Sequence, residues 1–187
     1  MEKHEWPSYS ELAWTEPIIA PPEEYEEETE LFIKVIKEHS RIEPNTLLHL
    51  GCGAGGNDYT FKMHFKVTGV DISEGMLEIA RKQNPEVTYI YDDMRSIELR
   101  ECFDAVAIPD SIGYMTTLED LRSAVLTAYM HLKPGGVLLI IASIAEQFSW
   151  LRLCRAVNKA VMIFSKALNY QVFVAYPLIK STFGVCF

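Results

Sequence analysis

The sequence is short of several things, and each absence excludes a class of protein. Basic residues are in deficit: 17 lysines and arginines stand against 26 acidic residues, for a net charge of −9. A general nucleic-acid binder needs a basic footprint to neutralise phosphates, so the balance argues against that role. No long apolar run is present. The longest, Val137–Ala145, is half the length of a membrane-spanning helix. The start, Met1-Glu2-Lys3-His4-Glu5, is polar with no apolar run behind it, so no signal peptide is expected. The four cysteines, Cys52, Cys102, Cys154 and Cys186, are far apart and form no CxxC pair. They read as ordinary thiols of a reducing, cytoplasmic setting rather than as a disulfide scaffold or a zinc site. Acidic residues are missing altogether beyond Glu146, where residues 147–187 carry five basic side chains. That break marks a boundary.

What is present is rhythm. At 187 residues the chain has room for one domain with a real core. After a proline-punctuated, aromatic lead-in, residues 23–39 place Tyr25, Leu31, Val35 and Ile36 at near-helical spacing among glutamates. This predicts an amphipathic helix, with the Glu23–Glu30 cluster on its solvated face and first turn. Short apolar strands and helices then alternate. Strands are predicted at Thr46–Leu50, Val67–Val70, Val87–Tyr91, Ala105–Ile108 and Val137–Ala142. Helices are predicted from the glycine loop to about Phe65, over Ser73–Lys82 and over Leu118–Leu132. This alternation predicts an α/β fold with an open, mostly parallel, doubly wound sheet. Its strands read as solid apolar runs because both faces are covered. The domain plan is a lid and helix over 1–44, the sheet domain over 45–146, and a basic, apolar cap or appendage over 147–187.

The strongest local signal is Leu47-Leu48-His49-Leu50-Gly51-Cys52-Gly53-Ala54-Gly55-Gly56. A strand stops, glycines turn the backbone and let it approach a ligand, and a helix begins with its amides aimed at that ligand. Twenty residues after Gly51, Asp71 ends Val67-Thr68-Gly69-Val70-Asp71. A carboxylate there can accept from both hydroxyls of an adenosine ribose. An N-terminal cap for the next helix is the other reading of Asp71, although Ser73 could fill that place. Gly51, Gly53 and Gly56 also satisfy GxGxxG, so NAD and S-adenosylmethionine both stay open on these residues alone.

Further segments carry a resemblance. Gly51-Cys52-Gly53-Ala54-Gly55 resembles the glycine motif of class I (Rossmann-like) S-adenosylmethionine-dependent methyltransferases. Gly69-Val70-Asp71-Ile72-Ser73 with Met76-Leu77 and Ala80-Arg81 is similar to their second motif. Asp92-Asp93-Met94-Arg95 resembles their adenine-contacting segment, Phe103-Asp104-Ala105-Val106 the opening of their fourth strand, and Leu132-Lys133-Pro134-Gly135-Gly136 the turn into their fifth. The order and spacing fit over about residues 45–142.

This resemblance implies an enzyme using S-adenosyl-L-methionine, with roles for particular residues. Gly51, Cys52, Gly53 and Gly55 would line the methionine part of the cofactor through their backbone. Asp71 would hold the ribose, with Ile72 on the adenine and Met76 from the same motif in the cofactor site. Asp93 would accept from the adenine amino group, Met94 would lie beside the ring, and Pro109 with Asp110 would lie near the sulfonium. Asp110-Ser111-Ile112-Gly113-Tyr114 is similar to a segment of small-molecule N-methyltransferases, which brings Ser111 and Tyr114 near a substrate. Tyr9 in Tyr9-Ser10-Glu11-Leu12 resembles their lid tyrosine.

Several of these residues have plainer readings. Ile72 and Met94 could be core, Asp92 and Asp93 a solvated turn, and Asp104 is best read as a loop cap. His49 stands where the family usually has an acidic residue. No catalytic residue and no metal site are assigned. The partner is a small-molecule methyl acceptor, taken through nitrogen or oxygen, with no nucleic acid. A binding protein without catalysis and an NAD-binding module are the rival functions. For the tail, an apolar face from Trp150 to Phe164 predicts a helix carrying Arg152, Arg155, Lys159 and Lys166, with a strand at Gln171–Ala175. That helix is read as a packed cap, with membrane contact or a shortened end as alternatives.

Overall fold

The structure is a computed structural model that describes residues 11–141, and the backbone of 142–143, 160–164 and 170–175. Tyr9 lies outside the described residues, as do Trp150, Arg152, Arg155, Lys159 and Lys166. Two short helical turns and helix α1 (Glu16–Ile19) lead into α2 (Glu26–His39). The sheet is built from β1 (Thr46–Leu50), β2 (Lys66–Asp71), β3 (Thr88–Tyr91), β4 (Phe103–Ile108), β5 (Leu132–Ser143), β6 (Ala160–Phe164) and β7 (Tyr170–Ala175). Between strands lie α3 (Asp58–Phe61), α4 (Glu74–Gln83) and α5 (Leu118–Met130).

The strand order is β3-β2-β1-β4-β5-β7-β6. The first five strands run parallel, and β7 pairs antiparallel with both β5 and β6. The order reverses between β1 and β4, and an open sheet of this kind has its ligand crevice at such a reversal, outside the strands' carboxyl ends. Two apolar cores cover the two faces. On one, Leu48, Leu50, Val106 and Ile108 meet Leu121 and Val125 of α5. On the other, Leu47, Ala105 and Leu139 meet Phe32, Ile33 and Ile36 of α2 together with Phe61. Side chains alternate along each strand, so a buried strand serves both cores and must be apolar throughout.

Some sequence expectations change. The face that α2 buries is Thr29, Phe32, Ile33 and Ile36, while Leu31 is exposed. The helix after the glycine loop is a single turn. Lys133–Gly136 falls inside the span of β5, where the pairing with β4 slips between Phe103 and Ala105. Gly135, at φ +88°, takes the backbone conformation that this irregularity needs. The helix predicted to run to Phe164 is corrected over its last turn, because Ala160–Phe164 is a strand of the main sheet. Val161, Ile163 and Phe164 suit either period, and the backbone pairing with β7 decides it.

Candidate cofactor site

At the carboxyl ends of β1 to β4 lies a cavity of about 800 Å³. Its floor is the glycine loop. The amides of Gly51 and Cys52 both donate to Val70 O, at 2.8 and 3.0 Å, which folds the loop back over β2. Gly51, Gly53 and Gly55 have φ of +73°, +54° and +79°, a region that suits glycine. Their surroundings differ. A side chain on Gly51 would run into Ser111 and Met94, whereas one on Gly53 would meet no protein atom within 4 Å and would project into the cavity. A cradle of this kind, bare backbone facing open space beside a carboxylate, fits a ligand that lies flat against the loop. Gly55 does not line the cavity. A Cβ there would sit 2.6 Å from the Tyr89 hydroxyl and 2.7 Å from Asn84 Nδ2, so Gly55 packs closely beneath the loop.

Asp71, at the tip of β2, accepts from the Gly53 amide and the Ser73 amide, both at 2.8 Å. Burial raises its pKa above 3.8 against the lowering effect of those two hydrogen bonds. Ser73 is the N-cap of α4, accepting from Met76 N at 3.1 Å. Asp71 is thereby left to the cavity and the loop. Ile72 is exposed on the cavity wall, and its core reading is dropped. Met94 also lines the cavity and packs on its inner side against the core. Met76 reaches the cavity from a buried position, where it packs with Ala13 and Ala54.

Asp93 lines the cavity, but its carboxylate is already engaged. Arg95 donates to it from its backbone amide at 2.8 Å, from Nε at 3.0 and 2.9 Å, and from Nη2 at 2.5 Å. The hydrogen bonds from Arg95 hold Asp93 below the usual carboxylate range, and Arg95 Nη1 reaches on to Asp120 at 2.7 Å. Ser111 also faces inward: its hydroxyl donates to Leu50 O at 3.0 Å and ties the corner after β4 to the end of β1. Pro109, Asp110 and Tyr114 line the opposite wall. Asp110 is the one non-glycine among the described residues with positive φ, at +56°.

The sequence reading missed the wall supplied by the N-terminal segment. Glu16, Pro17 and Ala20 line the cavity, and Tyr25 packs its ring against Gly56. The Tyr25 phenol donates towards Glu16 Oε1 at 3.5 Å. Burial, then the charges of Glu16, Asp110 and Glu28, push its pKa up to about 12. Burial and the charge of Asp110 likewise raise the Glu28 carboxyl. Tyr25 had signalled only a helix face, since a residue far away in sequence gives no local sign of reaching a cavity.

The Asp104 carboxylate lies at the far end of the sheet and accepts from Asn45 N, Thr46 N, Thr46 Oγ1 and Lys133 Nζ. The capping reading describes it. Among the described residues no cluster of His, Cys, Asp and Glu could hold a metal ion, and no helix is long and apolar enough to cross a membrane.

Known proteins agree with this geometry. Residues 47–136 match the methyltransferase domain family. Over those residues the chain is similar to methyltransferases. It is 40% identical over 100 residues to a dTDP-3-amino-3,4,6-trideoxy-alpha-D-glucopyranose N,N-dimethyltransferase of Streptomyces venezuelae, covering 52% of this chain and 42% of that one. It is 37% identical over 100 residues to a dTDP-4-amino-2,3,4,6-tetradeoxy-D-glucose N,N-dimethyltransferase of Saccharopolyspora spinosa, covering 52% and 40%. The chain thus spans about two fifths of the length of these curated relatives. Among solved structures, that of Streptomyces venezuelae DesVI superposes with a TM-score of 0.75 at 21% identity, over 82% of this chain and 92% of that one. At that identity the match shows the fold alone. The similar proteins are methyltransferases, which favours that reading over the NAD-binding alternative.

Proposed function

We propose that this chain binds S-adenosyl-L-methionine in the cavity at the sheet's carboxyl end and transfers its methyl group to an amine on a small molecule, an amino sugar foremost. The observation that carries the reading is the Gly53 cradle hydrogen-bonded to Asp71 on the lining of one cavity. The sugar N,N-dimethyltransferases, alike in sequence over the same region, support the acceptor class.

The cofactor supplies an electrophilic methyl group: an acceptor lone pair forms a bond to that carbon as the carbon–sulfur bond breaks. The chain's residues then have four tasks. The Gly51–Gly53 backbone, shaped by Val70 O, holds the amino-acid end. Asp71 orients the ribose by accepting from its hydroxyls, and Ile72 and Met94 offer apolar faces to the base. With Asp93 engaged by Arg95, that pair borders the base as a unit. Pro109 and Asp110 stand at the methyl end, with Glu16 and Tyr25 opposite.

The chemistry of that end favours an amine. Two carboxylates, Glu16 and Asp110, accept from the N–H groups of an amine, which attacks in its neutral form and, once methylated, loses its extra proton to solvent. The Tyr25 phenol stays protonated at neutral pH, so it donates and does not serve as a base. In-line displacement is driven mainly by positioning and by exclusion of water, which walls from both the N-terminal segment and the 109–115 corner provide. The test is methyl transfer from labelled S-adenosylmethionine to an amino deoxysugar nucleotide beside its hydroxyl counterpart. Label on the amine and none on the hydroxyl is expected. Label on neither, with the cofactor bound, would return the chain to a binding protein without catalysis.

A further inference from the structure

Beneath the glycine loop lies a chain of polar side chains for which the methyl-transfer reading has no use. His49, at 1% exposure, is the last residue but one of β1, and Asp58, at 0%, begins α3 just after the loop. His49 Nδ1 lies 2.7 Å from Asp58 Oδ1, and with a carboxylate opposite it that nitrogen carries the proton and donates. The Tyr89 hydroxyl donates to Asp58 Oδ2 at 2.9 Å. Asn84 Nδ2 donates to the Tyr89 hydroxyl at 3.1 Å and to the Gly55 carbonyl at 3.0 Å. Asn84 Oδ1 is buried with no partner, so the amide is held there for its two donations.

We infer that His49, Asp58, Tyr89 and Asn84 form a positioning relay that fixes the glycine loop in its ligand-ready shape. The inference rests on that loop being the cofactor cradle. The His49–Asp58 bond clips the loop's two ends together, and Asn84 pins its middle by the carbonyl of Gly55. Two glycines make room for the relay. Gly55 leaves space for the Tyr89 hydroxyl, and a Cβ on Gly69 of β2 would stand 2.6 Å from the Tyr89 ring. None of the four lines the methyl-transfer end. They act through the loop, and they reduce the ordering that a ligand would otherwise have to impose on it.

Tyr89→Phe, which removes one oxygen, is the main probe, with Asp58→Asn and His49→Gln beside it. Asp104→Asn, at the other end of the sheet, is the control for stability alone. Tyr89→Phe is expected to weaken S-adenosylhomocysteine binding about three- to tenfold, the value of one net hydrogen bond. The cofactor KM rises with it, while kcat at saturating cofactor stays within about twofold. In ligand-free protein, amide hydrogen exchange across residues 51–57 quickens in the relay variants and not in Asp104→Asn. Unchanged exchange and affinity in Tyr89→Phe would overturn the relay. So would an equal loss of affinity in Asp104→Asn at matched melting temperature. Wild-type protein that binds no S-adenosylhomocysteine would overturn the cofactor reading instead, and exchange in the ligand-free loop would still decide the relay.

Discussion

The Gly53 amide donates to the Asp71 carboxylate at 2.8 Å, so the tip of β2 and the crown of the glycine loop are held as one piece. Asp71 therefore shapes the cradle and borders its contents. Asp71→Ala is expected to cost about 2–4 kcal/mol of affinity for S-adenosylhomocysteine. Unlike a residue that touches only a ligand, it should also loosen the ligand-free loop, seen as faster amide exchange at Gly53. Calorimetry and exchange on one variant separate the two effects.

The raised pKa of Asp71 makes binding acid-sensitive. The folded-state value lies above 3.8 because burial disfavours the charge. The folded carboxyl then takes up a proton at a pH where an unfolded one is still ionised. Ribose hydroxyls need the carboxylate as acceptor, so affinity should fall on acidification from a pH above 3.8. Between 3.8 and the raised value, the ionised carboxyl lowers fold stability as pH rises. Titrating S-adenosylhomocysteine affinity against pH in wild type and Asp71→Asn checks this, since the variant should lack the transition.

Asp104 works in the opposite sense. Burial opposes its charge, but hydrogen bonds from Lys133, Thr46 and Asn45 outweigh that and hold its pKa below 3.8. Its contribution is present above the unfolded value and lost as pH falls through the folded one. Asp104→Asn should lower the melting temperature at neutral pH, lose part of the acid dependence below about pH 4, and leave cofactor affinity unchanged. A loss of affinity would mean that the two ends of the sheet are coupled.

The glycines separate a cradle from a packing contact. Gly53→Ala meets no protein atom, so its cost to the fold is that of a positive φ, about 1 kcal/mol. Its effect on binding should be much larger, because the methyl projects into the ligand's space. Gly55→Ala runs into Tyr89 and Asn84 and should destabilise the ligand-free protein by more. Melting temperatures with and without S-adenosylhomocysteine rank the pair.

Asp110 carries backbone strain at the methyl end. Asp110→Gly relieves a φ of +56° and should stabilise the protein by about 0.5–1 kcal/mol while raising the acceptor KM. A stabilised variant with unchanged acceptor kinetics would remove Asp110 from the acceptor site.

Much of this was legible along the chain because the signals were local. The alternation of apolar strands with helices, the glycine loop and the acid at a strand tip each sit within a few residues, so the parallel sheet and its crevice could be read directly. What escaped depends on contacts that the pattern along the chain does not encode. Tyr25 reaches Gly56 only through the docking of α2, and Asp93 is engaged by Arg95 through side-chain conformations that spacing does not encode. His49 could be flagged as unusual, but its partner Asp58 had no visible claim on it before the loop closed. Ala160–Phe164 misled because β-branched and aromatic residues at mixed spacing fit a helix face as readily as an edge strand.

The central claim is that the Gly53–Asp71 crevice is a nucleoside cofactor site, and titration calorimetry of the full chain with S-adenosylhomocysteine tests it without needing an acceptor. One-to-one binding to wild type, weakened by Asp71→Ala and by Gly53→Val, with no comparable heat from NAD, is the expected result. Absence of binding to well-folded wild-type protein, or binding that both variants leave unchanged, would contradict it.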